Sequence, residues 1–578
     1  MAEAREKKDH DSRNHRYSST YPVDHRPQCK GRDGTGDAGG DSQQAESRRQ
    51  LLGRHPPIDR VFGQKRHQRR QHIRIHSHRE GPQRESADGE ELAGARQSRF
   101  RQDVQDGKIL VRHCRLTRPF PDASTSTIER EARLKIAILG GGISGVTLGR
   151  LLAADNHDAV VFEKSDRAGG LCKSRVVDGF TYDEAGGHII YSKDTDVLNW
   201  QIERCGGPEG VHKTVRQTRI RWHDRYVPYP FENGVGHLTK EAIVECMDGY
   251  IEAHVQRRLG QTCPKNFKDW IDWRMGSGFA KHFMVPYNEK IWCCDLSTMA
   301  SEWVAGRVPE APVTDILKSA VGMQTDGYSH QSIFYFPLEG GFETMVRGTI
   351  ENSGFDLRLN SPVESVAQTK DGFTVNGESF DLVVNTAPLP LIEPAIEGIP
   401  AEIRGMIHKL EPISVISILF GMKLNEPMPD YSWIYLPFPE QGPANRVTFF
   451  SNYSPRNAPD GHGSFMAEVT HRGDLRPDAQ WVKDLGASLG KAGVLDPKDI
   501  VTTDWTDNRF AYIDQNLGFA ERIEKVRAWF DQSGYITFGR FGRYEYHNSD
   551  QCIMRAREVH EHIREIAASG QPARPTFT

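Results

Sequence analysis

The stretch 135–163 constrains the fold more than any other part of the 578-residue sequence. It begins with an apolar run, 136–139, of the length expected for a buried parallel strand. The glycine-rich turn GGGISG follows and leads into a segment with leucines at helical spacing. A second apolar run, 159–162, ends in an acidic residue. This order predicts a β-α-β unit that binds a dinucleotide.

Each part of this pattern has a physical task in binding a dinucleotide. Gly140 allows a tight turn, Gly142 lets the backbone approach a pyrophosphate, and Gly145 lets helix and strand pack closely. The helix N-terminus offers free N–H groups and its positive dipole end to the phosphates. Glu163 ends the second strand, where it can accept hydrogen bonds from a ribose diol. The predicted cofactor-binding residues here are Gly140, Gly142, Ile143, Ser144, Gly145, Glu163 and Lys164.

Two further glycine pairs follow the β-α-β unit, in the motifs RAGGL (167–171) and DEAGGH (183–188). Together they resemble the signature of the FAD-binding family that includes amine oxidases, protoporphyrinogen oxidase and UDP-galactopyranose mutase. The resemblance implies that the arginine and first glycine pair lie against the cofactor, and that backbone runs beside the flavin at the second pair. It implies FAD as the cofactor and adds Arg167, Gly169, Gly170, Leu171, Gly187 and His188 to its binding site.

The first 133 residues differ in composition from the rest of the chain. They hold 28 Lys and Arg against 20 Asp and Glu, with only five aromatic residues. Such a segment buries too little apolar surface to offset the entropy of ordering, so we predict a disordered basic extension over 1–133. Its basic run, 65–72, has no interleaved aromatics, and we predict no nucleic-acid binding. Because no Met lies between Met1 and Met247, Leu134 is a candidate for the genuine start, read from a non-AUG codon.

Other classes of protein are disfavoured by what the sequence lacks. No run approaches the roughly 18 consecutive apolar residues of a membrane helix, and the N-terminus lacks the apolar core of a secretory signal. The nine cysteines include the adjacent pair Cys293-Cys294 but no CxxC spacing. This usage indicates reduced structural thiols rather than a metal site. We predict a cytoplasmic protein without a metal, and the sequence leaves its oligomeric state open.

The hydrophobic pattern predicts an α/β fold class. We expect a Rossmann-like FAD-binding domain built from discontinuous segments, with a helical insertion and an antiparallel substrate-domain sheet. Helical apolar spacing occurs at 240–259, 267–282 and 299–321, and strand patterns dominate from roughly 405 to 510. The predicted parts are FAD-binding segments at 134–222, 327–400 and 511–578, the helical insertion at 223–326 and the substrate sheet at 401–510.

Several separate blocks narrow the resemblance to UDP-galactopyranose mutase, including its eukaryotic-type branch. They occur in the family's order over roughly residues 134–565, and they are VPYPF (227–231), VPYNEKIW (285–292), WVAGRV (303–308), FYFPLEGG (334–341), WIY (433–435), SNYSP (451–455) and GRFGRYEYHNSD (539–550). The resemblance implies that reduced FAD acts as a nucleophile on the anomeric carbon of a UDP-sugar, with no net redox change. It also implies an external reductant and a role in glycan or cell-surface polysaccharide biosynthesis.

The same resemblance assigns individual residues to the substrate and to the flavin. The residues that would contact the sugar, the diphosphate or the isoalloxazine ring, and are predicted to be catalytic, are His188, Tyr435, Tyr453, Tyr546 and Arg446. The residues predicted to complete the FAD site are Val363, Gly539, Arg540, Asn548 and Asp550.

The chain lacks arginines at several positions where the mutase family has them. In the family, several of these arginines hold the diphosphate of the substrate. The residues at those positions are Val285, Leu338, Glu339 and Glu545. The cations that could replace the missing arginines are Arg543, Arg446, Arg347 and Lys193. Three functions therefore stay open: a mutase-like enzyme acting on an activated sugar, an FAD oxidase or dehydrogenase of the amine oxidase or protoporphyrinogen oxidase type, and a flavoprotein with a structural or electron-carrying role.

Overall fold

The computed structural model describes residues 133–304, 311–323, 325 and 332–569. All of the predicted disordered extension except Arg133 lies outside these ranges. The strands in the described ranges are β1 Lys135–Leu139, β2 Asp158–Phe162, β3 Ser174–Val177, β4 Phe180–Asp183, β5 Val211–Val215, β6 Thr218–Trp222, β7 Arg225–Pro228, β8 Ile333–Pro337, β9 Asp356–Arg358, β10 Val366–Thr369, β11 Gly372–Val375, β12 Glu378–Phe380, β13 Leu382–Asn385, β14 Pro412–Lys423, β15 Trp433–Tyr435, β16 Arg446–Phe449, β17 His462–His471, β18 Ile500–Ile513 and β19 Ile536–Thr537.

The α-helices lie mainly between these strands and in one helical block. They are α1 Ile143–Ala154, α2 Thr195–Arg204, α3 Lys240–Arg258, α4 Phe267–Phe279, α5 Val285–Trp292, α6 Val313–Ala320, α7 Glu343–Ile350, α8 Leu389–Ile392, α9 Ala401–Ile407, α10 Ala479–Lys491, α11 Phe519–Gln532 and α12 Ser549–Ser569. None of the helices within the described ranges is long and apolar enough to cross a membrane.

A five-stranded parallel sheet contains the two strands of the predicted β-α-β unit. Its order is β19-β13-β1-β2-β9, so strands from four separate parts of the chain meet in one layer. The helices α1 and α12 pack together beside it. The four residues 136–139 of β1 are fully buried, as the apolar run predicted. The α/β fold class with a discontinuous Rossmann-like domain is confirmed.

The second large sheet has seven strands in the order β18-β14-β17-β16-β15-β6-β7, all antiparallel except the β15–β6 pair. It takes β6 and β7 from outside the range 401–510 expected for the substrate sheet, and β18 continues to Ile513. One face packs on α10, through side chains such as Ile416, Val447 and Ala467. Because side chains alternate along a strand, the residues next to these point to the opposite face.

The helical insertion contains α3 to α6, and two of its three predicted helices are confirmed at α3 and α4. The third, expected over 299–321, is wrong. The chain instead makes a short 3-10 turn at Glu302–Val304, and α6 begins only at Val313. Pro312 stands directly before α6, where it acts as the N-cap with an extended backbone. A proline has no backbone N–H to donate and disfavours helical backbone in the residue before it, so the apolar spacing could not continue as one helix.

The described cysteines differ in their access to solvent, which predicts their reactivity. Cys172, Cys205, Cys246 and Cys552 are buried, whereas Cys263 is exposed. Burial raises the pKa of the Cys205 and Cys246 thiols to about 12. Since the thiolate is the reactive form, we expect a disulfide reagent at pH 8 to modify Cys263 first and the four buried thiols only after unfolding. Mass spectrometry of the labelled peptides measures this order, and fast labelling of Cys205 in the folded protein would contradict it.

Candidate active site

The glycine-rich turn between β1 and α1 is built around two close approaches. Gly140 has φ +109°, and a Cβ there would lie 2.9 Å from Thr386 Oγ1. A Cβ on Gly145 would lie 2.0 Å from the carbonyl oxygen of Gly140, so neither position accepts a side chain. Gly142 is the N-cap of α1 and provides no side-chain cap, and the first turn of α1 contains no acidic residue. The N–H groups at this end of α1 are therefore available to an anion.

Glu163 lies at the end of β2 beside this turn, with 8% of its surface exposed. Its Oε2 accepts a hydrogen bond from Gly141 N at 2.9 Å, and its Oε1 accepts one from Ser165 N at 2.9 Å. A carboxylate has about four acceptor sites, so these two bonds fix its position and leave capacity for two ribose hydroxyls. The glycine-rich turn thus suits the phosphates of a dinucleotide, and the Glu163 carboxylate suits its ribose.

The first glycine pair after β2 extends this surface. Gly169 has φ +132° and donates its N–H to Gly141 O at 2.8 Å, which brings the pair against the turn. Arg167 points elsewhere. Its guanidinium binds Glu343 Oε2 at 2.7 Å, Ser174 O at 3.2 Å and the carboxylate of Glu184.

A row of polar side chains on the antiparallel sheet holds the second glycine pair. We call it the polar rung; its members, neighbours in register across β18, β14, β17, β16 and β15, are Thr506, Ser417, Glu468, Arg446 and Tyr435. These side chains lie on the face of the sheet opposite α10.

Three members of the polar rung contact the backbone of the glycine pair directly. Gly186 N donates to Ser417 Oγ at 2.9 Å, and Gly187 N donates to Glu468 Oε1 at 3.1 Å. Arg446 donates to Gly187 O at 3.3 Å. The following residue, His188, stacks on Phe342 with ring centroids 5.0 Å apart, and its N–H donates to Asp183 Oδ2 at 3.0 Å. The backbone at 186–188 is therefore rigidly positioned.

Arg446 and Glu468 form a buried ion pair at the centre of the polar rung. Arg446 Nε lies 2.7 Å from Glu468 Oε1, and the Glu468 side chain is 1% exposed. Burial acts to lower the pKa of Arg446, but the charge of Glu468 raises it well above its usual value. The guanidinium is thus a permanent positive charge, and its Nη1 makes no hydrogen bond to another described residue.

One cavity of about 1990 Å³ joins the glycine-rich turn to the face of the sheet that carries the polar rung. Typical pockets for a drug-sized ligand measure roughly 300–1,000 Å³, so this volume suits a dinucleotide together with a second ligand. Of the residues predicted from the sequence, those that line it are Gly140, Gly142, Ile143, Ser144, Glu163, Lys164, Gly169, Gly170, Leu171, Gly187, His188, Val363, Arg540, Asn548, Asp550, Tyr435, Tyr453, Tyr546 and Arg446. The predicted residues outside its lining are Gly145, Arg167 and Gly539.

Part of the cavity lining is a wall of aromatic side chains. Tyr435 packs edge-on against Tyr287, with ring centroids 5.0 Å apart, and also contacts Tyr229 at 5.5 Å. Tyr453 and Tyr512 line the same space. Burial raises the pKa of four of these phenols above the usual value, namely Tyr229, Tyr287, Tyr453 and Tyr512. These four keep their protons at neutral pH and can donate hydrogen bonds to a ligand.

The C-terminal segment closes the cavity beside this wall. Arg540 donates to His547 O at 2.9 Å and to Ala511 O at 3.0 Å, and its guanidinium lies 4.2 Å from the ring centroid of Tyr546. These contacts tie the loop before α12 to the end of β18. Arg540 thereby orders a loop whose residues Asn548 and Asp550 face the cavity.

Two family models match the chain. A model described as an NAD(P)-binding Rossmann-like domain matches residues 138–200, and one described as a flavin containing amine oxidoreductase matches residues 250–519. The fold is of the flavin amine oxidase type. The second description implies a flavin cofactor, and the uncapped glycine turn with the spare acceptor sites of Glu163 fits the phosphates and ribose of FAD.

Solved structures of other proteins share this fold over most of their length. A structure of reduced UDP-galactopyranose mutase is 25% identical, with a TM-score of 0.68, and the match covers 75% of this chain and 96% of that one. A protein from Exiguobacterium sp. 255-15 assigned as a protoporphyrinogen oxidase is 18% identical, with a TM-score of 0.58, covering 75% and 99%. At 18% identity the likeness shows the fold alone.

The curated relatives described next match short stretches of this chain. A protein of the nifH2 3' region of Methanothermococcus thermolithotrophicus is 46% identical over 57 residues, which are 10% of this chain and 54% of that protein. A 4,4'-diapophytoene desaturase of Staphylococcus aureus is 36% identical over 102 residues, 17% of this chain and 20% of the desaturase. The chain thus spans about half the length of the first relative and a fifth of the second.

The positions where the sequence lacks the expected arginines lie outside the cavity. None of Val285, Leu338, Glu339 and Glu545 lines the cavity. Of the four cations considered as replacements for the missing arginines, Arg446 and Lys193 line it, whereas Arg543 binds Asp531 at 3.0 Å and Arg347 binds Thr344 at 2.8 Å.

Sequence reasoning missed several residues that the fold brings to the cavity. Tyr512 lies at the end of β18, in a stretch whose alternating aromatics (RFAYI) carried a strand signal. Tyr287 lies on α5 of the helical insertion and also lines the cavity. Glu468 is a single charge inside the apolar strand β17, and a charge in that setting needs a partner. Arg216, between β5 and β6, gave no signal of its own.

Proposed function

We propose that the protein is an FAD-dependent enzyme that acts on a nucleotide-activated sugar in glycan or cell-surface polysaccharide biosynthesis. One observation carries the proposal: a single cavity runs from the dinucleotide turn to an aromatic wall that contains the permanently charged Arg446. The likeness to reduced UDP-galactopyranose mutase over 75% of the chain supports it. Reduced flavin would supply a nucleophile for the anomeric carbon, so that the sugar is rearranged without net oxidation.

The aromatic wall supports the choice of a nucleotide sugar. Flat tyrosine faces pack against a base or a sugar ring, and neutral phenols donate to phosphate and hydroxyl oxygens. Tyr435 and Arg446 are register neighbours on β15 and β16, so a phenol and a guanidinium are offered side by side. Arg446 would bind a diphosphate oxygen through Nη1, while Glu468 holds the other edge of its guanidinium.

The polar rung would also orient the reacting groups. It holds the backbone of Gly186 and Gly187, which line the cavity next to His188, where the flavin would lie. The polar rung would thus hold two groups in place: the backbone of the second glycine pair beside the flavin, and the Arg446 guanidinium that binds the phosphate. This arrangement would set the distance between the flavin and the anomeric carbon, which is the main contribution expected from the protein.

Product analysis tests the proposal directly. The purified flavoprotein, reduced with dithionite, is incubated with UDP-galactopyranose and other UDP-sugars, and the products are compared with those of the oxidised protein. We expect a ring-contracted product from the reduced protein alone. Lack of conversion, together with retained FAD and no change in flavin fluorescence on addition of UDP, would contradict the proposal.

A second candidate is an FAD oxidase or dehydrogenase of the amine oxidase type. The flavin containing amine oxidoreductase model, which matches 250–519, favours it, and so does the absence of arginine at Val285 and Leu338. This enzyme would consume oxygen or transfer hydride to an acceptor when given an amine or a porphyrinogen. Oxygen uptake with such substrates, and no product from UDP-sugars, would decide in its favour.

A further inference from the structure

Arg216 lies between β5 and β6 and enters the cavity beside the aromatic wall. Its backbone N–H donates to Ser332 O at 2.9 Å, which fixes the peptide against the segment before β8. Neither the motif analysis nor the family resemblance assigned it a role. Its side chain is half-buried, so it is neither a solvated surface arginine nor part of the core.

The guanidinium of Arg216 is held between two aromatic rings. Its central carbon lies 4.7 Å from the ring centroid of Trp433 and 5.0 Å from that of Tyr229. Its Nε donates to Thr218 Oγ1 at 2.9 Å. Ring contacts use the flat faces of a guanidinium, and Arg216 also interacts with the Tyr229 hydroxyl, so its remaining in-plane N–H groups are left for a ligand. The contacts therefore orient the group in advance of binding.

Arg216 makes no ion pair with the part of the chain that the structure describes. No carboxylate in these ranges lies within ion-pair distance of it, although the buried Glu232 also lines the cavity. Arg446 differs, because Glu468 compensates its charge. A cation that is held in place without an ion-pair partner, in a concave and partly apolar site, favours binding of an anion.

We infer that Arg216 is a specificity-determining residue that binds a phosphate or carboxylate oxygen of the substrate. The inference rests on the proposed function and deepens it, since it requires an anionic group of the substrate at the Trp433 and Tyr229 end of the cavity. Two sources share this chemistry: the diphosphate of any nucleotide sugar, and the carboxylate of an acidic sugar attached to it. Arg216 and Arg446 together present two guanidiniums to the substrate.

Ligand titration of the FAD-loaded protein tests this role without relying on turnover. UDP, UDP-galactose and UDP-galacturonate are titrated against the wild type, R216Q and R216K, with flavin fluorescence and calorimetry as readouts. The matched control is R219Q. Arg219 lies on β6, its guanidinium is 5.2 Å from the Tyr431 ring, and it does not line the cavity. FAD content and circular dichroism verify that each variant folds.

The outcomes separate the two sources. If Arg216 binds the diphosphate, R216Q weakens all three ligands by roughly 10- to 100-fold, since a charge-assisted hydrogen bond is lost. If it binds a sugar carboxylate, only UDP-galacturonate is weakened. In both cases R216K recovers part of the affinity and R219Q binds like the wild type. Unchanged affinities in R216Q, with tight binding by the wild type, would overturn the role of Arg216 alone. Absence of binding by the wild type would overturn the proposed function and this inference with it.

Discussion

Replacement of Gly142 by valine is expected to give a folded protein that no longer retains FAD. Gly142 has φ −72° and ψ 176°, an extended backbone that any residue adopts, and the nearest atom to an added Cβ is Gly170 Cα at 4.0 Å. The protein itself therefore has room for the side chain. Gly142 lines the cavity, however, and the added methyl groups would occupy the approach of the phosphates to the start of α1.

The expected loss is large because the phosphates bind by charge-assisted hydrogen bonds. Loss of two such bonds, each contributing about 1.5–3 kcal/mol, raises the dissociation constant of FAD by at least about 100-fold. The ratio of flavin absorbance to protein absorbance after gel filtration measures this, and circular dichroism reports the fold. The control is G405A, because Gly405 lies on the exposed side of α9 and a Cβ there meets no atom within 4 Å. A yellow, FAD-saturated G142V protein would show that the cofactor does not approach this turn.

The nucleotide-binding end was predictable from the sequence because its determinants are local. The close approach between Gly145 and Gly140 and the placement of Glu163 arise within one β-α-β unit, although Gly140 also packs against Thr386 from a later segment. Where the backbone has no room for a side chain, the sequence must have glycine, so the close approaches are visible as a glycine pattern. An acidic residue at the end of a parallel strand lies at the edge of the sheet, where the ligand binds. No information about distant parts of the chain was needed to locate this half of the site.

The polar rung was not predictable in the same way, because it depends on the register of strands far apart in the sequence. Ser417, Arg446 and Glu468 lie on three different strands, and a shift of one residue in any pair would turn a side chain to the face of α10. Arg446 was identified only through family resemblance. Glu468 was visible as a lone charge in an apolar strand, but the pattern could not name its partner.

Arg446 and Glu468 form a buried ion pair. Replacement of Glu468 by leucine is therefore expected to destabilise the protein strongly. The change leaves Arg446 buried without its counter-charge and removes the acceptor of Gly187 N. Removal of one partner of a buried ion pair typically lowers the free energy of unfolding by about 3–5 kcal/mol. Urea denaturation of the FAD-loaded protein, followed by flavin fluorescence and circular dichroism, measures the loss.

A double variant distinguishes two roles of the Arg446–Glu468 pair, its contribution to stability and its contribution to ligand binding. Replacement of both charges, in R446L/E468L, is expected to recover most of the stability lost in E468L, because apolar side chains of similar size often substitute for a buried pair at little cost. The double variant still lacks the guanidinium that we place at the diphosphate, so its affinity for UDP should stay low. Recovered stability with lost affinity would assign Glu468 to positioning Arg446, whose own charge binds the ligand. If the double variant is as unstable as E468L, the defect lies in the contact of Glu468 with Gly187, and the polar rung acts mainly on the backbone beside the flavin.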